Sequence, residues 1–257
     1  MIHTRYLLGS LVNIPLLPLL YLQAKQIRQR VPALPEASKP VGFVGNGSAT
    51  IRLLSIGEST IAGVGVKYHK EGFTGHLAKL LADAYDLRVE WRVMAKSGYT
   101  AKRVRENLIP ELEDHLVNLI VIGLGGNDTF KLNAPNKWRK DLHLLIDDLQ
   151  IKFPETPIVF INVPPVRSFP AFTVLAKFVL GRHIDLLHEV LQEVVTERDD
   201  VWYSDSRIRL KDWINYWPGK TLRPEDFFSD GIHPSELTYK TWAGEVSKFI
   251  RERRILE

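Results

Sequence analysis

Leu53-Leu54-Ser55-Ile56-Gly57-Glu58-Ser59-Thr60-Ile61-Ala62-Gly63 is the stretch on which the reading of this chain turns. Ile51, Leu53, Leu54 and Ile56 make an apolar run of strand length, and Gly57 ends it just before a serine. A serine at the carboxyl end of a buried strand stands where open α/β sheets place their ligands. Backbone N–H groups of such a turn can face an anion, and the turn can hold Ser59 Oγ clear of the strand. The plainer reading is a turn or N-cap serine. The rest of the chain decides between the two.

Outward from this stretch, strand and helix patterns alternate from about Ala49. Phe73, Leu77, Leu80, Leu81 and Ala84 share one helical face, and residues 87–94 alternate as a second strand. Thr100 is suited to cap a helix running towards Glu113, broken near Pro110. Residues 119–124 are apolar throughout, as in a parallel strand buried on both faces. Trp138, Leu142, Leu145, Ile146 and Leu149 repeat the helical spacing. Residues 157–163 read as a fourth strand ended by Pro164-Pro165, and a helical region then extends to about Glu197. A short fifth strand (201–204) and a last amphipathic helix (Trp242, Val246, Phe249, Ile250) follow. Such alternation implies a parallel sheet covered on both sides, in one domain.

The 257 residues, 45% apolar and 25% charged, suit a globular α/β chain. The lack of cysteine excludes disulfides, thiolate zinc sites and cysteine nucleophiles. Residues 1–30 hold Arg5, Lys25, Arg28 and Arg30 with no acid, so the net charge of +4 resides there and the body is balanced. That distribution argues against a nucleic-acid partner and for a membrane surface. Residues 6–22 carry no charge and fall at the lower limit of a bilayer span, with Tyr6 and Tyr21 at the ends and Pro15 and Pro18 inside. A membrane anchor or interfacial segment competes here with a signal peptide and with a helix docked on the protein's own domain. Basic residues after the apolar run favour a cytoplasmic face; the alternative is an exported or periplasmic protein with residues 1–24 as signal or anchor. Pro32, Pro35, Pro40, Gly42, Gly45, Asn46 and Gly47 make 31–48 an expected linker, which leaves 49–257 as the main domain.

Three further segments carry chemistry. Ala95-Lys96-Ser97-Gly98-Tyr99-Thr100 ends the second strand, and Gly98 there permits close backbone approach to a substrate oxygen. Ile122-Gly123-Leu124-Gly125-Gly126-Asn127-Asp128 ends the third, where the Asn127 amide can serve an oxyanion hole or merely cap a helix. Phe228-Ser229-Asp230-Gly231-Ile232-His233-Pro234-Ser235 places an acid and a histidine three residues apart, so that the carboxylate can hold Nδ1–H and aim Nε2 outward. Asp230 can instead simply cap its turn. Seven other histidines (His3, His69, His76, His115, His143, His183, His188) have no comparable setting.

In order, these four segments resemble the blocks of the SGNH (GDSL-type) hydrolases from about Ser55 to Ser235. The resemblance implies a three-layer α/β/α sandwich, flavodoxin-like, with five parallel strands ordered 2-1-3-4-5. By it Ser59 is the nucleophile, His233 the general base and Asp230 its orienting acid. The oxyanion hole is formed by Ser59 and Gly98 N–H and the Asn127 side chain. No metal and no cofactor is expected. One departure stands out: Gly57-Glu58-Ser59-Thr60 replaces the usual Gly-Asp-Ser-Leu, so the bonds that brace the serine turn differ. Ile61 also rules out a Gly-x-Ser-x-Gly elbow.

The expected activity is hydrolysis of a carboxylic ester. Pro164, Pro165, Val166, Phe169 and Phe172, with Val174, Leu175, Phe178, Val179 and Leu180 beyond them, make a segment apolar nearly all round that suits an acyl pocket, a lipid contact or a core helix. Together with the N-terminal segment they point to a lipid-like ester; deacetylation of a carbohydrate is the enzymatic rival. A catalytically silent, membrane-associated binding protein of the same fold is the alternative from another class, with Glu58 in its favour.

Overall fold

The structure, a computed structural model, describes residues 2–113 and 116–257. Helices α1 (Ile2–Asn13) and α2 (Leu17–Arg30) lead in, joined by a 3-10 turn at Ile14–Leu16. Strand β1 (Val41–Val44) precedes β2 (Thr50–Gly57), α3 (Phe73–Tyr85), β3 (Arg88–Ala95) and α4 (Ala101–Asn107). Then come β4 (Leu119–Gly123), α5 (Gly126–Phe130), α6 (Pro135–Lys152) and β5 (Ile158–Phe160). The chain closes with α7 (Val174–Thr196), β6 (Val201–Tyr203), α8 (Leu210–Asn215) and α9 (Glu236–Glu252).

The six strands form one sheet in the order β1-β3-β2-β4-β5-β6, parallel except for β1. Successive strand residues face opposite sides. Leu53, Val121 and Val159 therefore pack under α3 and α9, while Leu54, Ile120, Ile122, Ile158 and Phe160 pack under α4, α6 and α7. The result is the three-layer sandwich expected. Every residue of β4 is buried, which is why that stretch reads as unbroken apolar sequence.

Without β1, the order is the expected 2-1-3-4-5; the expectation of five strands is corrected to six. The extra edge strand comes from 31–48, which is therefore not a free linker. Val41 and Phe43 on it are exposed although apolar, and Gly42 and Val44 are only partly covered, so no polar–apolar alternation marks it in the sequence. Gly42 lies over the Trp91 ring, where an added Cβ would stand 2.3 Å from a ring carbon. Glu36 accepts hydrogen bonds from Ser97 N–H (2.7 Å) and Lys96 Nζ (3.0 Å), so the same segment braces the loop after β3.

Other boundaries shift for local reasons. The fourth expected strand, 157–163, shortens to Ile158–Phe160. Thr100 caps α4 by accepting from Arg103 N–H at 3.5 Å, but the helix ends at Asn107, short of Pro110. Six-residue α8, with only Leu210 and Trp213 buried, is too short to declare itself by periodicity. At the N-terminus the break falls so that Pro15 and Pro18 each sit in the first turn of the following helix, where a missing N–H is tolerated. Among the described residues no single helix is long and apolar enough to cross a membrane. The pair Thr4–Leu11 and Ile14–Arg30, bent by 45°, reaches that length and composition only together.

Candidate active site

Ser59 stands on the turn that follows β2. Glu58 N–H donates to Gly123 O at 3.1 Å, tying the ends of β2 and β4, and Ala62 and Val64 N–H close the turn on Glu58 O and Ser59 O. Ser59 Oγ has no hydrogen-bond partner among the described residues. The hydroxyl lines a cavity of about 240 Å³ together with Gly98, Asn127 and His233. Four segments from 59 to 233 thus meet at one point, at the carboxyl end of the sheet.

His233 and Asp230 share a loop just before α9. Ser229 N–H donates to His233 O at 2.8 Å, and Ser235 caps α9. Nδ1 of His233 and Oδ2 of Asp230 are 2.7 Å apart, while Oδ1 accepts from Ile232 N–H (2.9 Å) and His233 N–H (2.7 Å). Burial works against the Asp230 charge, but the bonds from the His233 ring and from the two amides outweigh it and hold the carboxyl below its ordinary range. The acid is therefore an anion with both oxygens engaged on the histidine's own loop.

Gly98 adopts φ +81°, and nothing lies within 4 Å of where its Cβ would be. That left-handed conformation opens its backbone towards the cavity. Among the described residues neither Gly98 N–H nor Ser59 N–H donates a hydrogen bond. Gly98 is exposed and Ser59 half-buried, so both amides are open to an acceptor that enters the cavity.

Two carboxylates behind the cavity had no role assigned from sequence. Glu58, 2% exposed, accepts from Gly126 N–H (2.7 Å) on one oxygen; on the other it accepts from Asn127 N–H (2.8 Å) and Asn127 Nδ2 (2.5 Å). Burial raises the Glu58 carboxyl to about 7 against the pull of those bonds. Asp128, fully buried, accepts from Ala101 N–H (3.0 Å) and Asn133 Nδ2 (2.6 Å), which ties the start of α4, just past Gly98, to α5, which carries Asn127. Burial raises its carboxyl as well. The sequence signals were the odd glutamate before Ser59 and an aspartate directly after Asn127; neither shows its partner.

The walls are aromatic and apolar: Phe130, Phe169, Phe228, Trp213 and Trp242, with Pro164 and Pro165 beside them. Phe169 and the two prolines come from the apolar segment after β5, as an acyl-pocket reading requires, whereas Val179 is core and Val174 and Phe178 face outward. No other described histidine side chain lines the cavity; His188, for instance, is engaged with Tyr203 OH at 2.6 Å. His115 lies outside the described residues.

The fold is that of the SGNH-type hydrolases. The sequence profile of the GDSL-like Lipase/Acylhydrolase family matches residues 55–241, and the chain belongs to that family. Among solved structures it is similar to TesA, at 22% identity and TM-score 0.57 over 78% of this chain and 98% of the other. The family 3 carbohydrate esterase of Clostridium thermocellum matches at 19% identity and TM-score 0.60 over 81% and 100%. The psychrotrophic esterase EstA of Pseudoalteromonas sp. matches at 18% and 0.57 over 79% and 98%. At these identities the likeness is one of fold. No match is found among curated proteins.

Proposed function

We propose that this chain is a serine carboxylic-ester hydrolase in which Ser59 is the nucleophile, His233 the general base and Asp230 its orienting acid. The observation that carries the reading is the meeting, in one cavity, of a partnerless Ser59 hydroxyl, an Asp230-held imidazole and two idle amides. Ser59 Oγ and His233 Nε2 are not hydrogen-bonded to each other here; such bonds are often loose without substrate and tighten once it is bound.

In the reaction, Ser59 Oγ attacks the ester carbonyl as its proton passes to His233 Nε2. The imidazolium then protonates the leaving alcohol. Water, deprotonated by the same imidazole, releases the acid and restores the serine. Ser59 N–H, Gly98 N–H and the second Asn127 Nδ2 hydrogen, the one not given to Glu58, take the developing oxyanion. Asp230 fixes Nδ1–H and stabilises the imidazolium without itself being protonated.

The aromatic walls favour a lipid-like ester with a short acyl group inside the cavity and the remainder at its rim. Carbohydrate deacetylation is the second reading, since the small cavity also fits an acetyl group. Labelling by a fluorophosphonate probe tests the chemistry. Wild type should label, while Ser59→Ala and His233→Ala should not; an unlabelled wild type would leave a silent binding protein instead. Nitrophenyl esters of rising chain length, run beside acetylated sugars, separate the substrate classes.

A further inference from the structure

The N-terminal helices lie along α7 in the opposite direction. Arg5 Nη1 pairs with Glu189 Oε2 at 2.5 Å, the Tyr6 and His183 rings are 6.0 Å apart, and Thr173 Oγ1 donates to Gln23 Oε1 at 2.6 Å. Ile2 packs on the core and Tyr6 lies on the α7 side, but the outer side of α1 is apolar too. Arg5, Ser10 and Asn13 turn towards α7 and the hollow beside it, while Leu7, Leu8 and Leu11 are 50%, 60% and 68% exposed. A helix held on its own domain in water puts its leucines inward. Residues 7–22 contribute half of the exposed large hydrophobics among the described residues, and the outward Val174 and Phe178 of α7 add to them.

The charge beside this face is of one sign. Lys25, Arg28 and Arg30 at the end of α2 are exposed and have no carboxylate within 4.0 Å among the described residues, and residues 1–30 contain no acid. Apolar side chains next to unpaired cations fit the headgroup boundary of an anionic bilayer. The face also leads to the cavity. Thr173, bonded to Gln23, follows Phe172, whose ring meets Phe130 edge-on at 5.8 Å; Phe130 is 40% exposed and lines the cavity.

We propose that α1, α2 and the start of α7 seat this protein flat on an anionic lipid surface, with the mouth of the Ser59 cavity turned to esters lying in it. Only the last step, presentation of the ester, rests on the hydrolase reading. The interfacial seat and a spanning anchor differ in one respect: α1 keeps its contacts with α7 when it lies in the surface plane.

The test is co-sedimentation of the full chain with vesicles of phosphatidylcholine alone or mixed with phosphatidylserine. Expected is partition into the mixed vesicles, weakened by salt. Leu8→Glu with Leu11→Glu should lower it by more than about tenfold, with hydrolysis of a soluble nitrophenyl ester and the unfolding midpoint unchanged. Lys25→Glu with Arg28→Glu should remove the preference for phosphatidylserine. With an ester dissolved in the vesicles, the leucine pair should lose hydrolysis there and nowhere else. The proposal is overturned by absence of partition, by partition indifferent to the leucine pair, or by a dimer in sedimentation velocity that this pair dissolves. A wild type that binds vesicles but hydrolyses no ester supports the seat and sinks the hydrolase reading, so the two failures remain distinct.

Discussion

One carboxylate oxygen, Oε2 of Glu58, accepts both the backbone N–H of Asn127 at 2.8 Å and its side-chain Nδ2 at 2.5 Å. The residue next to Ser59 therefore grips the residue whose amide faces the same cavity, 69 positions away in the chain. Since the other oxygen holds Gly126 N–H, both ends of the carboxylate are committed. An aspartate at this position is shorter by one methylene, so on the same backbone its carboxylate would stand farther from Gly126 and Asn127. The departure at Glu58 thus has a structural partner, and it leaves Ser59 Oγ free.

Glu58→Gln should lower kcat by on the order of tenfold to a hundredfold with KM little changed, because an amide accepts on one end only, so that either Gly126 N–H or Asn127 loses its acceptor and the Asn127 turn shifts. Probe labelling of Ser59 should survive. Glu58→Ala should cost about 2–4 kcal/mol, since it leaves the Gly126 and Asn127 N–H groups without an acceptor. Steady-state kinetics and urea unfolding read the two effects separately.

Stability should depend on pH through Glu58. Its carboxyl stands at about 7 in the folded chain against an ordinary 4.5. Between those values the folded protein holds a proton that the unfolded chain has lost, so stability falls as pH rises through that window, by on the order of 3 kcal/mol. Asp230 acts in the other direction: its depressed carboxyl contributes stability above the ordinary carboxylate range, lost as pH falls through its folded value. Unfolding midpoints measured from acid to neutral pH should show the Glu58 slope in wild type and a flatter curve in Glu58→Gln.

Asp230→Asn should reduce kcat by on the order of 10³–10⁴ while the fold persists, because an amide at Oδ2 favours the wrong imidazole tautomer. Ser59→Ala should abolish ester cleavage and leave the unfolding midpoint within a few degrees of wild type. A variant at either position that retains full turnover would remove that residue from the triad.

Two glycines should respond in opposite ways to alanine. At Gly98 the added methyl meets no atom within 4 Å, so the strain of φ +81° costs only about 1 kcal/mol, but the methyl enters the cavity side and turnover should fall at least about tenfold. At Gly42 the methyl would press on the Trp91 ring, costing about 1–3 kcal/mol with turnover per folded molecule preserved. Paired measurements of activity and denaturant midpoint distinguish a site glycine from a packing glycine.

The sequence by itself determined what is local. β4 shows as an apolar run because burial on both faces leaves no polar position, and Asp230 and His233 can be paired on paper because three residues of loop bring them together. The succession of strand-end turns was legible for the same reason, and with it the layered fold. It could not show β1, whose Val41 and Phe43 are exposed and whose Gly42 lies against the Trp91 ring. Nor could it show the grip of Glu58 on Asn127, or that the N-terminal leucines face outward while Ser10 and Asn13 face α7. Those relationships join positions far apart along the chain. Periodicity reports that a face is apolar but not what it is turned towards, and only packing in three dimensions decides that.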